Sequence, residues 1–379
     1  MSIDYSKVPS PSYVIEEERL RKNLTQISHI ARESGTEFIV AFKGFAMWSV
    51  FPILREYISG ASASSLNEAR LCFEEMKTPA HTYVPVYDEK EFDEILRYSS
   101  HLSFNSLNQY NKFYPRIQAS GRKVSIGLRI NPEFSEIAHG LYNPCSPGSR
   151  LGITAEQLGD NLPEGVEGLH FHVLFESDSF VLEKTLQVVE EKFGRYLDRI
   201  KWLNMGGGHL VTRKGYDTCH MIRILDQFRK KHGIHIILEP GSAFGWETGE
   251  LVATVEDIVE NGGVCTAMLN VSFTAHMPDC LEMPYKPAVL GATDPVPGKP
   301  AYRLGGNSCL SGDFIGDWSF DRELKPGDRI VFLDMIHYTM VKTTTFNGVA
   351  HPSIGIWQKD NTFRLVREFR YEDYRNRLS

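Results

Sequence analysis

The sequence predicts an α/β chain made of a parallel (β/α)8 barrel of the TIM type followed by an all-β domain. Over roughly two hundred residues short apolar runs alternate with helix-like stretches. The runs number eight, which favours a closed barrel over an open doubly wound sheet that would alternate in the same way. From about residue 246 the alternation stops, and strand-like runs follow one another between Pro, Gly and Asp turns. The expected boundaries are 21–245 for the barrel and 246–379 for a β-sandwich or β-barrel domain, with the N-terminal strand region 1–20 joined to it.

Taken in order, Ser12 to Ile15 reads as a short strand. Residues 16–32 carry Leu20, Leu24, Ile27, Ile30 and Ala31 at helical spacing, and Gly35 stops that helix. The first barrel strand is the run Phe38-Ile-Val-Ala-Phe42, ended by Lys43-Gly44 and followed by a helix over 46–58. The next three are Gly60 to Ala63, Thr82 to Val86 and Leu102 to Asn105, with helices over 66–76, 89–97 and 106–118 behind them. Val124 to Ile130 is the fifth, before a loop over 131–150 rich in Pro, Gly and Asn. The sixth, Val166 to Val173, precedes a long helix over 178–200. The seventh, Trp202 to Met205, opens into Gly206-Gly207-Gly208 and then a helix over 216–232. Ile234 to Leu238 is the eighth, ended by Glu239-Pro240-Gly241. Beyond it the strand-like runs are 250–259, 264–272, 287–291, 301–304, 329–334, 337–345, 353–358 and 362–367.

With 379 residues, 42% hydrophobic and 23% charged, the chain can bury a sizeable core and has no signature of disorder. A net charge of −7 argues against non-specific nucleic-acid binding and favours cationic ligands. No run is long enough to span a bilayer, and the first residues lack an apolar signal core. Six cysteines without C-x-x-C spacing read as reduced thiols in the cytoplasm, not as a disulfide frame or a zinc site. No membrane partner and no metal are expected.

In a β/α barrel the chemistry gathers at the C-terminal ends of the strands. Reading those ends collects Lys43 from strand one, His170 and His172 from strand six, Gly206 to Gly208 after strand seven, and Glu239 from strand eight. A buried lysine loses hydration of its cation, so its pKa falls and its neutral amine can attack a carbonyl; a lysine at a strand end can also simply snorkel to water. Consecutive glycines let backbone N–H groups approach a phosphate, and a flexible turn would use the same residues. Glu239 can pair with a protonated ring nitrogen. His172 can stack on a ring face, and His170, which shares its side of the strand, competes for that role. These are the residue types that a phosphorylated, electron-withdrawing cofactor needs.

With those motifs in hand, the chain resembles the fold-type III pyridoxal 5'-phosphate (PLP) decarboxylases, which include the ornithine/arginine and diaminopimelate enzymes, over nearly its whole length. The alanine racemase-like fold of that family is the arrangement already described. The resemblance implies that Lys43, in Ala41-Phe42-Lys43, carries PLP as a Schiff base. It further implies that His172 stacks on the ring, that Gly206, Gly207, Gly208 and Tyr338 hold the phosphate, and that Glu239 meets the pyridine nitrogen. Cys309-Leu-Ser-Gly-Asp313 resembles the family's C-x-S-G-D box, whose cysteine and acidic residue reach into a partner subunit's site; a homodimer with shared active sites is thereby implied. Cys309 is then the candidate acid that protonates the product carbon.

Within the family, the strings Lys43-Gly-Phe-Ala-Met-Trp48, His276-Met-Pro-Asp279 with Leu281-Glu-Met-Pro-Tyr285, and Gly312-Asp313-Phe-Ile-Gly-Asp317 resemble the carboxynorspermidine/carboxyspermidine decarboxylases of polyamine biosynthesis. Ser242 follows Glu-Pro-Gly where many relatives carry arginine, and Leu310 stands where diaminopimelate enzymes have glutamate. Both departures speak against a substrate with a second carboxylate-bearing end. A carboxylated polyamine with cationic amines is the expected substrate, and Glu176, Asp279 and Asp313 are the candidates to bind them. The alternatives are a diaminopimelate or ornithine/arginine decarboxylase, a racemase on the same scaffold, and an idle PLP-binding homologue. A racemase would not need the cysteine-to-aspartate box.

Overall fold

The barrel closes on its first strand, which is split in two. Glu37–Phe38 pairs with His235–Leu238, and Val40–Ala41 pairs with Ala61–Ala63, so one run of chain touches the neighbours on both sides of the seam. Ile39, between the halves, donates its N–H to Leu238 O at 2.9 Å, and Val40 donates to Gly60 O at 3.2 Å. Going round from the seam the order is His235–Leu238, Trp202–Asn204, Val166–His170, Ser125–Arg129, Ser99–Phe104, Ala80–Tyr83 and Ala61–Ala63, all parallel. The nine paired segments are therefore eight strands, and the (β/α)8 expectation holds. The structure, a computed structural model, describes residues 3–137, 140 and 142–379. Its two units are Asn23–Phe244, which holds the barrel, and the residues up to Lys22 together with Gly245–Ser379.

The barrel strands are apolar because both their faces are covered; Ile39, Val40, Phe42, Leu102, Phe104, Leu128, Leu169, Leu203, Ile236 and Leu238 are completely buried. The outer helices follow their caps. Ser65, Ser106, Asp178 and Asp217 each accept a backbone N–H at a helix start, and Gly121 and Gly233 end Leu107–Ser120 and Thr218–His232 in the left-handed conformation. The expected helix over 46–58 is instead two short turns, Trp48–Val50 and Phe51–Leu54, while the Phe51 ring stacks on Phe42 at 5.0 Å. The third strand is Ala80–Tyr83 and not 82–86, since Pro85 has no N–H for a ladder.

Near the opposite end from Lys43, the Trp202 ring lies where two neighbouring strands have no side chain. A Cβ at Gly168 would stand 2.1 Å from the ring, and one at Gly127 would stand 2.3 Å away. The indole N–H donates to Ser125 Oγ at 2.7 Å, which fixes the ring in place. Gly168→Ala is expected to lower stability by about 1–3 kcal/mol through overpacking. The check is the urea midpoint, which should fall while far-UV circular dichroism stays native.

In the other unit Ser12–Glu16 is a fully buried strand. It runs antiparallel to Gly249–Asn261 and parallel to Ser353–Trp357. Ile3, Val8, Val14, Val252 and Trp357 form one apolar cluster across these strands. Gly249–Asn261 continues past a register shift near Val255 to pair with Val264–Leu269, and Arg329–Phe332 lies on its other side. Three sequence expectations need correction here. Residues 287–291 form no strand beyond a single bridge from Val289 to Phe332. Phe314–Phe320 is a strand that Gly316 and Asp317 disguise as a turn. Residues 337–345, rich in Thr, form no strand: the β-propensity is there, but Tyr338 sits at φ 51°, which no strand allows.

Candidate active site

Lys43 lies two residues past the end of the first strand, and Gly44 and Phe45 both donate N–H groups to Ala41 O in the tight turn that carries it. Its amine meets His172 from the sixth strand: Nζ and Nε2 are 3.0 Å apart. His172 is held from the other side by the Gly207 N–H, which reaches Nδ1 at 3.0 Å. Burial drives the Lys43 pKa down, with Arg129 helping and Glu239 and Glu68 opposing. Burial also drives His172 well below the usual imidazole range, with Lys43 and Arg129 adding to it.

Glu239 lies fully inside the barrel mouth. Its Oε2 accepts from Asn204 Nδ2 at 2.9 Å, and its Oε1 stands 3.6 Å from His170 Nε2. Burial alone would raise its pKa, but His170, Lys43 and Asn204 outweigh that and hold the carboxyl below the usual carboxylate range. His170 is itself pushed down by burial, and among the described residues neither of its ring nitrogens has a hydrogen-bond partner. So the two histidines do not compete. His170 lies toward Glu239 and packs edge-on to Tyr83, while His172 takes Lys43.

The glycine run has a packing reason of its own. A Cβ at Gly206 would meet Phe171 O at 2.4 Å, one at Gly207 would meet Glu239 O at 2.6 Å, and one at Gly208 would meet Leu174 O at 2.1 Å. Gly206 and Gly208 also sit at φ 70° and 86°, where a side chain is strained. Two of the three N–H groups serve the site itself, Gly206 bonding to Asn204 Oδ1 at 2.8 Å and Gly207 bonding to His172.

Sequence reading passed over Arg129 and Asn204. Arg129 ends the fifth strand, is buried, stacks its guanidinium 4.6 Å over the Tyr83 ring and donates to His172 O at 3.2 Å. The signal was available, because a charged residue at the C-terminal end of an apolar barrel strand belongs in the same list as Lys43 and Glu239. Glu176, in the loop after the sixth strand, is half-buried at φ 44°, an uncommon conformation for a non-glycine.

The remaining candidates belong to the other unit. Cys309 is exposed and its N–H donates to Asn347 Oδ1 at 2.8 Å. Asp313 is buried and its carboxylate accepts the N–H of Thr274 at 2.9 Å and of Ser308 at 3.2 Å, so it shapes the turn that presents Cys309. Asp279, on Pro278–Glu282, is ion-paired with Lys342 at 2.7 Å, and Lys342 also bonds Glu282. Tyr338 is half-buried at φ 51°.

Buried histidines make both units acid-sensitive. Burial depresses His209 in the barrel unit and His276 in the sheet unit to about 4. Below the unfolded value of 6.5 the unfolded chain takes up protons that the native histidines refuse, so stability falls as pH drops from 6.5 toward 4. Each such histidine costs roughly 2 kcal/mol at pH 5. Urea midpoints at pH 7.5 and pH 5 test this; equal midpoints would contradict it.

A buried carboxylate held ionised, whose one side-chain hydrogen bond among the described residues comes from a neutral amide, and a lysine whose pKa burial lowers, both at the mouth of a barrel, suit a cationic ring nitrogen at one end and an aldehyde at the other. PLP has both, and the residues fit it. The chain belongs to the pyridoxal-dependent decarboxylase family: the family model described as "Pyridoxal-dependent decarboxylase, C-terminal sheet domain" matches residues 13–336. It is a PLP-dependent carboxy-lyase. Among its relatives, a carboxyaminopropylagmatine decarboxylase of Synechocystis sp. is 52% identical over 374 residues, covering 98% of this chain and 96% of that one. A carboxynorspermidine/carboxyspermidine decarboxylase of Campylobacter jejuni is 44% identical over 381 residues, with 98% of each chain covered. The crystal structure of carboxynorspermidine decarboxylase from Campylobacter jejuni, complexed with norspermidine, superposes with a TM-score of 0.90 at 43% identity, covering 98% of this chain and 100% of that one. Among the described residues, no helix is long and apolar enough to cross a membrane.

Proposed function

We propose that this enzyme decarboxylates carboxynorspermidine and carboxyspermidine, forming norspermidine and spermidine. The observation that carries the reading is end-to-end likeness, in sequence and in structure, to an enzyme whose structure was solved with norspermidine. The net charge of −7 suits a cationic substrate.

Bound PLP supplies an electron-withdrawing ring that accepts the electron pair left when carbon dioxide departs. Lys43 would hold it at its aldehyde carbon, Glu239 would keep the ring nitrogen protonated, and the face of His172 would lie on the ring. Gly208 and Tyr338 would hold the phosphate, with Gly206 and Gly207 keeping Asn204 and His172 in place. Glu176, and Asp279 in exchange for its Lys342 partner, would take the substrate amines as charge-assisted hydrogen bonds. Asp313 is assigned to the Cys309 turn, because its carboxylate already accepts two backbone N–H groups. Cys309 would give a proton to the product carbon from a second copy of the chain, in a homodimer of the cytoplasm. Exposed Leu310 and Phe346 flanking this thiol's neighbourhood support such a contact. Cys309→Ala should slow formation of the correct amine by about 10²-fold while PLP binding stays intact. An unchanged rate would remove the thiol as the acid.

A second reading is favoured by the 52% identity to the Synechocystis relative, namely decarboxylation of carboxyaminopropylagmatine. That substrate ends in a planar guanidinium where the others end in an ammonium, and a carboxylate binds the two with different geometry. The test is a side-by-side assay of carboxynorspermidine, carboxyspermidine, carboxyaminopropylagmatine, meso-diaminopimelate, ornithine and arginine, following carbon dioxide and product mass. The first reading expects the carboxylated triamines to lead in kcat/KM. A lead for the guanidinium substrate selects the second, and a lead for a plain amino acid overturns both.

A further inference from the structure

The hydrogen bond between Lys43 and His172 has a direction that follows from its far end. Gly207 N–H reaches His172 Nδ1 at 3.0 Å. A peptide N–H only donates, so Nδ1 presents its lone pair and carries no proton. A neutral imidazole then carries its proton on Nε2. Nε2 lies 3.0 Å from Lys43 Nζ, so the imidazole donates and the amine accepts. An ammonium has no lone pair and cannot accept. A doubly protonated His172 would instead turn a proton on Nδ1 against the Gly207 N–H.

We propose that Gly207 locks His172 in its Nε2–H form and that His172 thereby holds Lys43 as the neutral amine before PLP arrives, so that the enzyme takes up its cofactor readily at neutral pH. This uses the edge of the imidazole, whereas stacking on the cofactor uses its face. The proposal depends on the cofactor alone and on neither substrate reading.

The charged and titratable groups around the pair are few. Arg129 at the end of the fifth strand disfavours a cation on either group, Glu239 after the eighth strand and Glu68 on Leu66–Leu71 favour one on Lys43, and His170 lies on the strand leading to His172. Neither carboxylate is in an ion pair with Lys43: Glu239 bonds Asn204, and Glu68 accepts the Ser64 N–H at 2.6 Å. Loading then needs no prior deprotonation. The Nζ lone pair bonds to the aldehyde carbon, and as the carbon–nitrogen double bond forms, both amine protons leave with the aldehyde oxygen as water.

The experiment starts from cofactor-free protein. PLP uptake is followed by stopped-flow absorbance from pH 7 to 9.5, beside the reaction of PLP with N-acetyl-lysine as the reference for an ordinary ammonium. Nitrogen-15 spectra of histidine-labelled protein report the His172 tautomer, its signal assigned by loss in the His172→Glu variant. The expected results are an uptake rate that stays level while the N-acetyl-lysine rate climbs with falling ammonium content, and an Nε2–H imidazole throughout. In His172→Glu, whose side chain only accepts from an ammonium, uptake at pH 7.5 should drop at least about tenfold and recover about tenfold per pH unit on the way up. A wild-type rate that itself climbs tenfold per unit, an Nδ1–H tautomer, or a His172→Glu profile parallel to wild type would each overturn the proposal. The wild-type uptake profile decides even if the variant does not fold.

Discussion

Lys43→Ala is expected to abolish carbon dioxide release and the absorbance of covalently held PLP together. The lysine is the described amine at the barrel mouth that is both covered and poised against a neutral imidazole. Alanine leaves nothing to attack an aldehyde and nothing to be displaced when substrate arrives. The fold should survive, because Lys43 ends a strand and its side chain plugs no apolar layer; its backbone turn is made by Gly44 and Phe45. PLP should still bind, more weakly, through noncovalent contacts. The measurements are the visible spectrum, borohydride trapping followed by mass, and product formation. Turnover with natural amounts of product would refute the covalent role, and loss of the native circular dichroism would show that the residue had a structural part as well.

Glu239→Gln should have the second-largest effect. The substitution keeps the shape and can keep the Asn204 contact, but removes the buried negative charge. A ring nitrogen facing an amide has no counter-ion and gives up its proton, so the ring withdraws electrons less well at the moment when carbon dioxide leaves. Loss of one preorganised charge of this kind costs on the order of 10²–10³ in kcat. PLP affinity should change much less, because on the proposed assignment Lys43 would still hold it. A kcat within a few fold of wild type would show that the ring nitrogen is not governed by Glu239. The same change removes one of the two carboxylates that favour a cation on Lys43, so cofactor uptake should not slow.

Much of the architecture was legible because a barrel repeats its signals. Each strand ends in a turn residue, and polar groups at strand ends stand out against apolar runs. That is why Lys43, His172 and Glu239 could be collected before any geometry was known. What stayed hidden depends on three-dimensional pairing. The division of labour between His170 and His172 is set by which partner each ring meets, Glu239 or Lys43. Asn204 looks like any polar residue before a glycine run until its amide is seen holding both Gly206 and Glu239. The Gly206–Gly208 run looks like a phosphate loop, and its closest neighbours turn out to be carbonyl oxygens of adjacent segments. The Asp279–Lys342 pair joins residues 63 apart in sequence, so neither carried any local sign that its charge was already matched.

The split of the sheet unit along the chain also has a consequence for biosynthesis. The strand Ser12–Glu16 leaves a ribosome well before its partners, Gly249–Asn261 and Ser353–Trp357. At translation speeds of about 5–20 residues per second, it waits on the order of 20–70 s for the second of them. In that interval the whole barrel sequence has emerged and can close, while five residues destined for complete burial remain an unpaired, adhesive β edge. The nascent chain, more than the finished enzyme, is where a holdase chaperone would find its binding site.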